Sequence, residues 1–122
     1  MLKPLLATAL FAGALAGAGS ALANGALAID SNQGDQWGFA YNYPSAAQAE
    51  QRALSECGRG CRIVLRFSQG CGAYAADQAR GSTAYGWATA PQAGSAQQRA
   101  LQECRSRGGS MCIVRSWGCN SN

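Results

Sequence analysis

Two stretches of the chain carry one pattern: "AEQRALSECGRGC" from Ala49 to Cys61 and "AQQRALQECRSRGGSMC" from Ala96 to Cys112. Each is a short helical run closed by a cysteine, then a break, then a second cysteine. A unit written twice must fold in a way that serves both copies, so the repeat limits the fold more than any local propensity does. Aligning Pro44 with Pro91 places Arg52-Ala53-Leu54 on Arg99-Ala100-Leu101 and Glu56-Cys57 on Glu103-Cys104. Upstream, "WGFAYNYP" matches "YGWATAP" with one residue missing, and "GALAID" at Gly25 matches "GAYAAD" at Gly72. Downstream, "CRIVLRFSQGC" matches "CIVRSWGC", which sets Phe67 and Trp117 as equivalent core residues. Two copies of about 45 residues are too few for a solenoid, so one pseudo-twofold domain is expected, with repeats over about 25–71 and 72–119.

Each unit parses as strand, strand, helix, strand. Trp37, Phe39, Tyr41 and Tyr43 alternate with Gly38, Ala40 and Asn42, the period of two of a half-buried strand. The stretch "SNQGDQ" before them has the composition of a hairpin connection. Ser45, with Gln48 three residues on, forms a capping-box pattern that starts a helix. Ala46, Ala49, Ala53, Leu54 and Cys57 share one side of that helix. The second helix starts more weakly because Gly94 falls in or near its first turn. The expected fold is α+β: two tandem ββαβ repeats, an antiparallel-rich sheet of about six strands, and two short helices packed on it.

Helices faced by alanine bury little area and need another restraint. The six cysteines, Cys57, Cys61, Cys71, Cys104, Cys112 and Cys119, supply it. Repeat symmetry selects Cys57–Cys61 and Cys104–Cys112, each tying a helix end to the next strand. Cys71–Cys119 then joins equivalent strand ends of the two units. Loop-closure entropy assigns about 2 to 3 kcal/mol to each short bridge and about 4 to the long one. A metal site is disfavoured, because without histidine it would need four thiolates and would strand two more.

Bridges of this kind belong outside the cytoplasm. The first residues, "MLKPLLATALFAGALAGAGSALANG", agree: Lys3, an apolar run from Leu5 to Ala18, and Ala21-Leu22-Ala23 as an A-x-A cleavage site read as a signal peptide over 1–23. Residues 24–122 would then form a single domain without a membrane span, periplasmic or secreted. Cleavage removes the one lysine and leaves nine arginines against six carboxylates, net +3. With no basic run, zinc finger or RNA-binding motif, nucleic acid is not an expected partner.

Catalytic groups are scarce. The absence of histidine excludes Ser-His and Cys-His systems, bridged cysteines offer no thiolate, and no phosphate-cradling loop or cofactor motif is present. Asp30 and Asp77 hold equivalent places and could form a glycosidase-like pair, but both read more simply as caps of hairpin turns. An enzyme is disfavoured. For binding, two arrangements stay open. The aromatic strand faces form an exposed platform if the helices pack on the Gly/Ala face, and a core if the helices pack on the aromatic face. The residues singled out for a partner are Trp37, Tyr41, Tyr85, Trp87, Arg62 and Arg66, the two arginines lying in one strip if strand alternation holds.

At the repeated "YNYPSAAQAEQRALSEC" and "GWATAPQAGSAQQRALQEC", with "WGCN" near the end, the chain resembles the bacterial domain-of-unknown-function family numbered 4189. The likeness runs from about Gly25 to Asn120. It implies an exported, disulfide-bearing protein without an established activity. Some members are similar to immunity proteins that neutralise toxins delivered by type IV secretion systems, and others look like secreted factors acting on a host. No catalytic motif carries over. The expectation is a non-enzymatic periplasmic binding protein that occludes a protein partner, either an effector toxin or an envelope protein. The alternatives are an envelope-glycan binder, a weak glycan hydrolase using Asp30 and Asp77, or a secreted host-directed factor.

Overall fold

The computed structural model describes residues 23–30 and 35–121. The signal-peptide reading therefore falls almost wholly outside the described residues, as does most of the first hairpin loop. The element order is β1 (Asn24–Asp30), β2 (Trp37–Tyr43), α1 (Ala46–Cys57), β3 (Cys61–Phe67), β4 (Cys71–Asp77), β5 (Tyr85–Ala90), α2 (Ala93–Ser106) and β6 (Cys112–Cys119). The ββαβ unit occurs twice, as the repeat requires. The six strands divide into two three-stranded antiparallel sheets, β2-β1-β3 and β5-β4-β6.

Each helix lies on the small-residue face of its own sheet. Ala49, Ala53 and Cys57 of α1 pack on Ala26, Ala28 and Ala40. Ala96, Ala100 and Cys104 of α2 pack on Cys71, Ala73, Ala75 and Ala90. The buried stripe is narrower than the sequence implies, since Ala46 is exposed and Leu54 sits at the stripe's edge, 36% exposed. Alanine alone does not bring a helix this close. Gly38 and Gly86 do: a Cβ at Gly38 would overlap the Ala53 carbonyl oxygen, and one at Gly86 would come within 2.6 Å of the Ala100 carbonyl oxygen. Strand backbone therefore rests against helix backbone, which explains the aromatic-glycine pair that opens β2 and β5.

The opposite faces of the two sheets meet each other. Leu27, Ile29, Phe39 and Phe67 of the first unit pack with Tyr74 and Ala76 of the second, and Trp37 lies 5.9 Å from Tyr74, centroid to centroid. The layers run helix, sheet, sheet, helix. At equivalent positions Leu27 and Ile29 in one unit face Tyr74 and Ala76 in the other, so a large–small exchange keeps the shared volume filled. Burying Leu27, Ile29 and Tyr74 completely contributes about 1.5–3 kcal/mol each. Phe67 is the wedge of this layer. A Cβ on Gly25 of one sheet or Gly72 of the other would strike its ring.

All three bridges, Cys57–Cys61, Cys104–Cys112 and Cys71–Cys119, are formed. Cys71–Cys119 does not join the two units, however. Cys71 opens β4 directly opposite Cys119 of β6, so the bond closes the second sheet on itself and the repeat divides just before Cys71. The first sheet has Asn24 at the corresponding place, with Nδ2 donating to the Tyr43 carbonyl oxygen at 3.2 Å. Helix starts differ as expected. Ser45 Oγ accepts the Gln48 N–H at 3.1 Å, whereas Gln92, at the start of α2, makes no side-chain cap.

Candidate functional site

The residue missing from the second copy is Asn42. Between Asn24 and Ala26 the pairing with β2 jumps from Tyr43 to Ala40, and Asn42 sits in the bulge with φ of +64°. This flips Tyr43 to the helix side, where it packs against the alanine core. It also aims Asn42 at the far end of the chain. Its N–H donates to Asn120 Oδ1 at 2.8 Å, and its own Oδ1 accepts the Ser121 N–H at 2.7 Å. Asn120 is buried, donates through Nδ2 to the Phe67 carbonyl oxygen and through its backbone N–H to that of Gly70. One asparagine thus joins β2, β3 and the β3–β4 turn.

The aromatic residues expected at a binding face are placed unequally. Trp37, Tyr85 and Trp87 are half-buried because they face the opposing sheet, so they do not form an open platform. Neither arrangement drawn from the sequence is realised: the helices take the Gly/Ala face, and the second sheet covers the aromatic one. Tyr85 and Trp87 stack at 5.6 Å, and the Arg107 guanidinium reaches from the end of α2 to lie 5.6 and 5.3 Å from their ring centroids. Tyr41 keeps 43% of its surface, resting against Gly118.

Trp117 corrects the sequence alignment. It stands opposite Ala73 as Arg66 stands opposite Ala26, and the partner of Phe67 in the repeat is Gly118. Trp117 is accordingly 50% exposed rather than core. Counting positions from Cys61 and Cys112 finds this pairing, whereas matching the two large residues hides it.

Arg62 and Arg66 do not form a strip. Leu27 pairs with Leu65 and Ala28 with Ile63, leaving Val64 as an extra residue that breaks strand alternation. Arg62, opposite Ile29, points to the sheet–sheet side. Arg66, opposite Ala26, points to the helix side, where its Nε lies 2.7 Å from Glu50 Oε2. The same bulge recurs at Arg115 in β6. Arg59, Arg62, Arg80, Arg99, Arg105 and Arg115 have no carboxylate partner among the described residues.

Asp30 and Asp77 end the central strands of different sheets, opposite Cys61 and Cys112. Asp77 is a turn anchor. Its Oδ1 accepts the N–H of Ala79 at 3.1 Å and of Met111 at 2.9 Å, and Oδ2 accepts that of Ser110 at 3.2 Å. A hydrogen bond from the Ser82 side chain, then these amides, hold its carboxyl below the usual carboxylate range. Asp30 Oδ1 is buried and has no hydrogen-bond partner among the described residues. Tyr74 is pushed well above the ordinary tyrosine value, first by burial and then by the Asp30 charge, with Arg115 opposing. Among the described residues no cluster of three or more side chains is arranged to hold a metal ion, and no helix is long and apolar enough to cross a membrane.

A family model described as "Domain of unknown function (DUF4189)" matches residues 24–119, which spans both sheets and all three bridges. The chain belongs to the DUF4189 family. No curated protein and no solved structure matches it. The bridges of this DUF4189 domain are consistent with an oxidising, non-cytoplasmic setting. Its doubled ββαβ plan, aromatic-glycine strands and paired helix-end cysteines account for the sequence pattern from both ends of the match.

Proposed function

We propose that this chain is an exported, non-enzymatic binding protein of the periplasm that covers a protein partner, acting as an immunity or inhibitor protein against an effector toxin. The single observation that carries the reading is how the reactive groups are used. All six cysteines are spent in bridges, and Asp77 gives both carboxylate oxygens to loop amides. What remains on the surface is recognition chemistry: Tyr41, Trp117, and the six arginines without carboxylate partners. A cross-linked scaffold holds such groups in place before contact and so lowers the ordering cost of binding. The excess of arginine favours a partner with an acidic face, approached faster at low salt. The glycan-hydrolase alternative draws little support from an Asp77 already tied into its turn.

The test is capture. Mature protein is immobilised and offered the product of the neighbouring gene, along with periplasmic extract. Stoichiometric capture of that product, weakened by Tyr41→Ala or Arg62→Ala, is the expected result. Clean, sensitive captures that recover no protein would overturn the proposal.

A further inference from the structure

The repeat supplies its own comparison at Arg52 and Arg99, equivalent residues on α1 and α2. In the first unit Arg52 Nε lies 2.8 Å from Glu56 Oε2, while Glu56 Oε1 accepts the Phe39 N–H at 3.3 Å. The cleft there, about 190 Å³ and lined by Phe39, Ala40, Tyr41, Tyr43, Arg52 and Glu56, holds its own carboxylate. In the second unit the equivalent Glu103 turns to Arg107, 3.8 Å away, and Arg107 is stacked over Tyr85 and Trp87. Among the described residues Arg99 makes one hydrogen bond, Nη1 donating to the Thr89 carbonyl oxygen at 3.1 Å. Around it opens a cleft of about 480 Å³ lined by Gln69, Gly70, Thr89, Ala90, Pro91 and Arg99. A volume of that size suits a small ligand or one inserted side chain.

We infer that this second cleft is a carboxylate-binding site in which Arg99 takes the place for its ligand that Arg52 already gives to Glu56. The contact to the Thr89 carbonyl fixes one edge of the guanidinium and leaves its remaining N–H groups to a carboxylate, with Gln69 in the wall for neighbouring polar atoms. The carboxylate belongs either to a small free acid of the cell envelope or to an Asp or Glu side chain of another protein. The site does not depend on the inhibitor reading.

The experiment is an NMR titration of the isotope-labelled mature chain with two probes, N-acetylmuramic acid and N-acetylglutamate N-methylamide. Saturable shifts in the millimolar range are expected at Gly70, Thr89, Ala90 and the Arg99 side chain. Arg99→Gln should weaken the affinity about tenfold or more, the loss of a charged hydrogen-bond pair, and Arg52→Gln should leave it within about twofold. Arg99→Lys, which keeps the charge but not the fork, should fall between them. Tighter binding of the sugar acid assigns the site to free envelope acids, and tighter binding of the glutamate derivative assigns it to side chains. Absence of saturable shifts with either probe, or an undiminished response in Arg99→Gln with an unchanged melting temperature, would overturn the site. Either outcome would leave the capture experiment unaffected.

Discussion

At the residue scale, glycines decide how close the layers come. Gly38→Ala would push a methyl into the Ala53 carbonyl oxygen, and α1 would have to retreat from β2. A loss of about 1–3 kcal/mol is expected from such overpacking, read from urea or thermal unfolding. Gly94 is the counterexample: it lies in the first turn of α2 with nothing near its missing Cβ, so Gly94→Ala should add about 0.5–1 kcal/mol. Asp77 gives a pH signature. Because its folded pKa is depressed, its stabilisation is complete above the unfolded Asp value of about 3.9 and disappears as pH falls through the folded value. Asp77→Asn should therefore be less stable than the natural chain at pH 7, and the gap should close in strong acid. The sequence made Asp77 legible as a turn residue because "ADQARG" has turn composition. It did not reveal that the amides come partly from Ser110 and Met111, more than thirty residues away.

At the scale of elements, the strands, both helices and the two helix-end bridges could be read because a doubled pattern makes each assignment twice, and Cys71–Cys119, which has no copy, followed as the remaining pair. Register could not be read the same way. The bulges at Val64 and Asn42 have no compositional mark, and each changes which side a residue faces: Arg62 and Arg66 separate, and Tyr43 turns to the helix. The division into two sheets was also hidden, although β4 is buried along its whole length, as a strand covered on both faces must be. Two of the four edge strands, β2 and β5, are met by helix side chains, Glu56 taking the Phe39 N–H and Arg99 donating to the Thr89 carbonyl. The bridges make a graded prediction. Replacing Cys57 and Cys61 by alanine should cost about 2 kcal/mol, and replacing Cys71 and Cys119 about 4, since the second pair closes a loop of 48 residues' separation and the first of only 4. Equal costs in denaturant unfolding would contradict the loop-length argument.

For the whole molecule, the shared layer between the sheets makes the two units one cooperative body. Phe67→Ala would open a void between Gly25 and Gly72, on two different sheets, and should cost about 3–5 kcal/mol while unfolding stays a single transition. Two separate calorimetric peaks would show that the units fold alone. The Asn120 junction has a consequence for timing. Asn42 is bound to a residue 78 positions later, and Phe67 to the same residue 53 positions later. A chain delivered N-terminus first can lay down β1, β2 and α1 early, but the bulge of β2 has no clasp until the last strand has arrived. Closing that corner is therefore a step that only a chain finished through Asn120 and Ser121 can take.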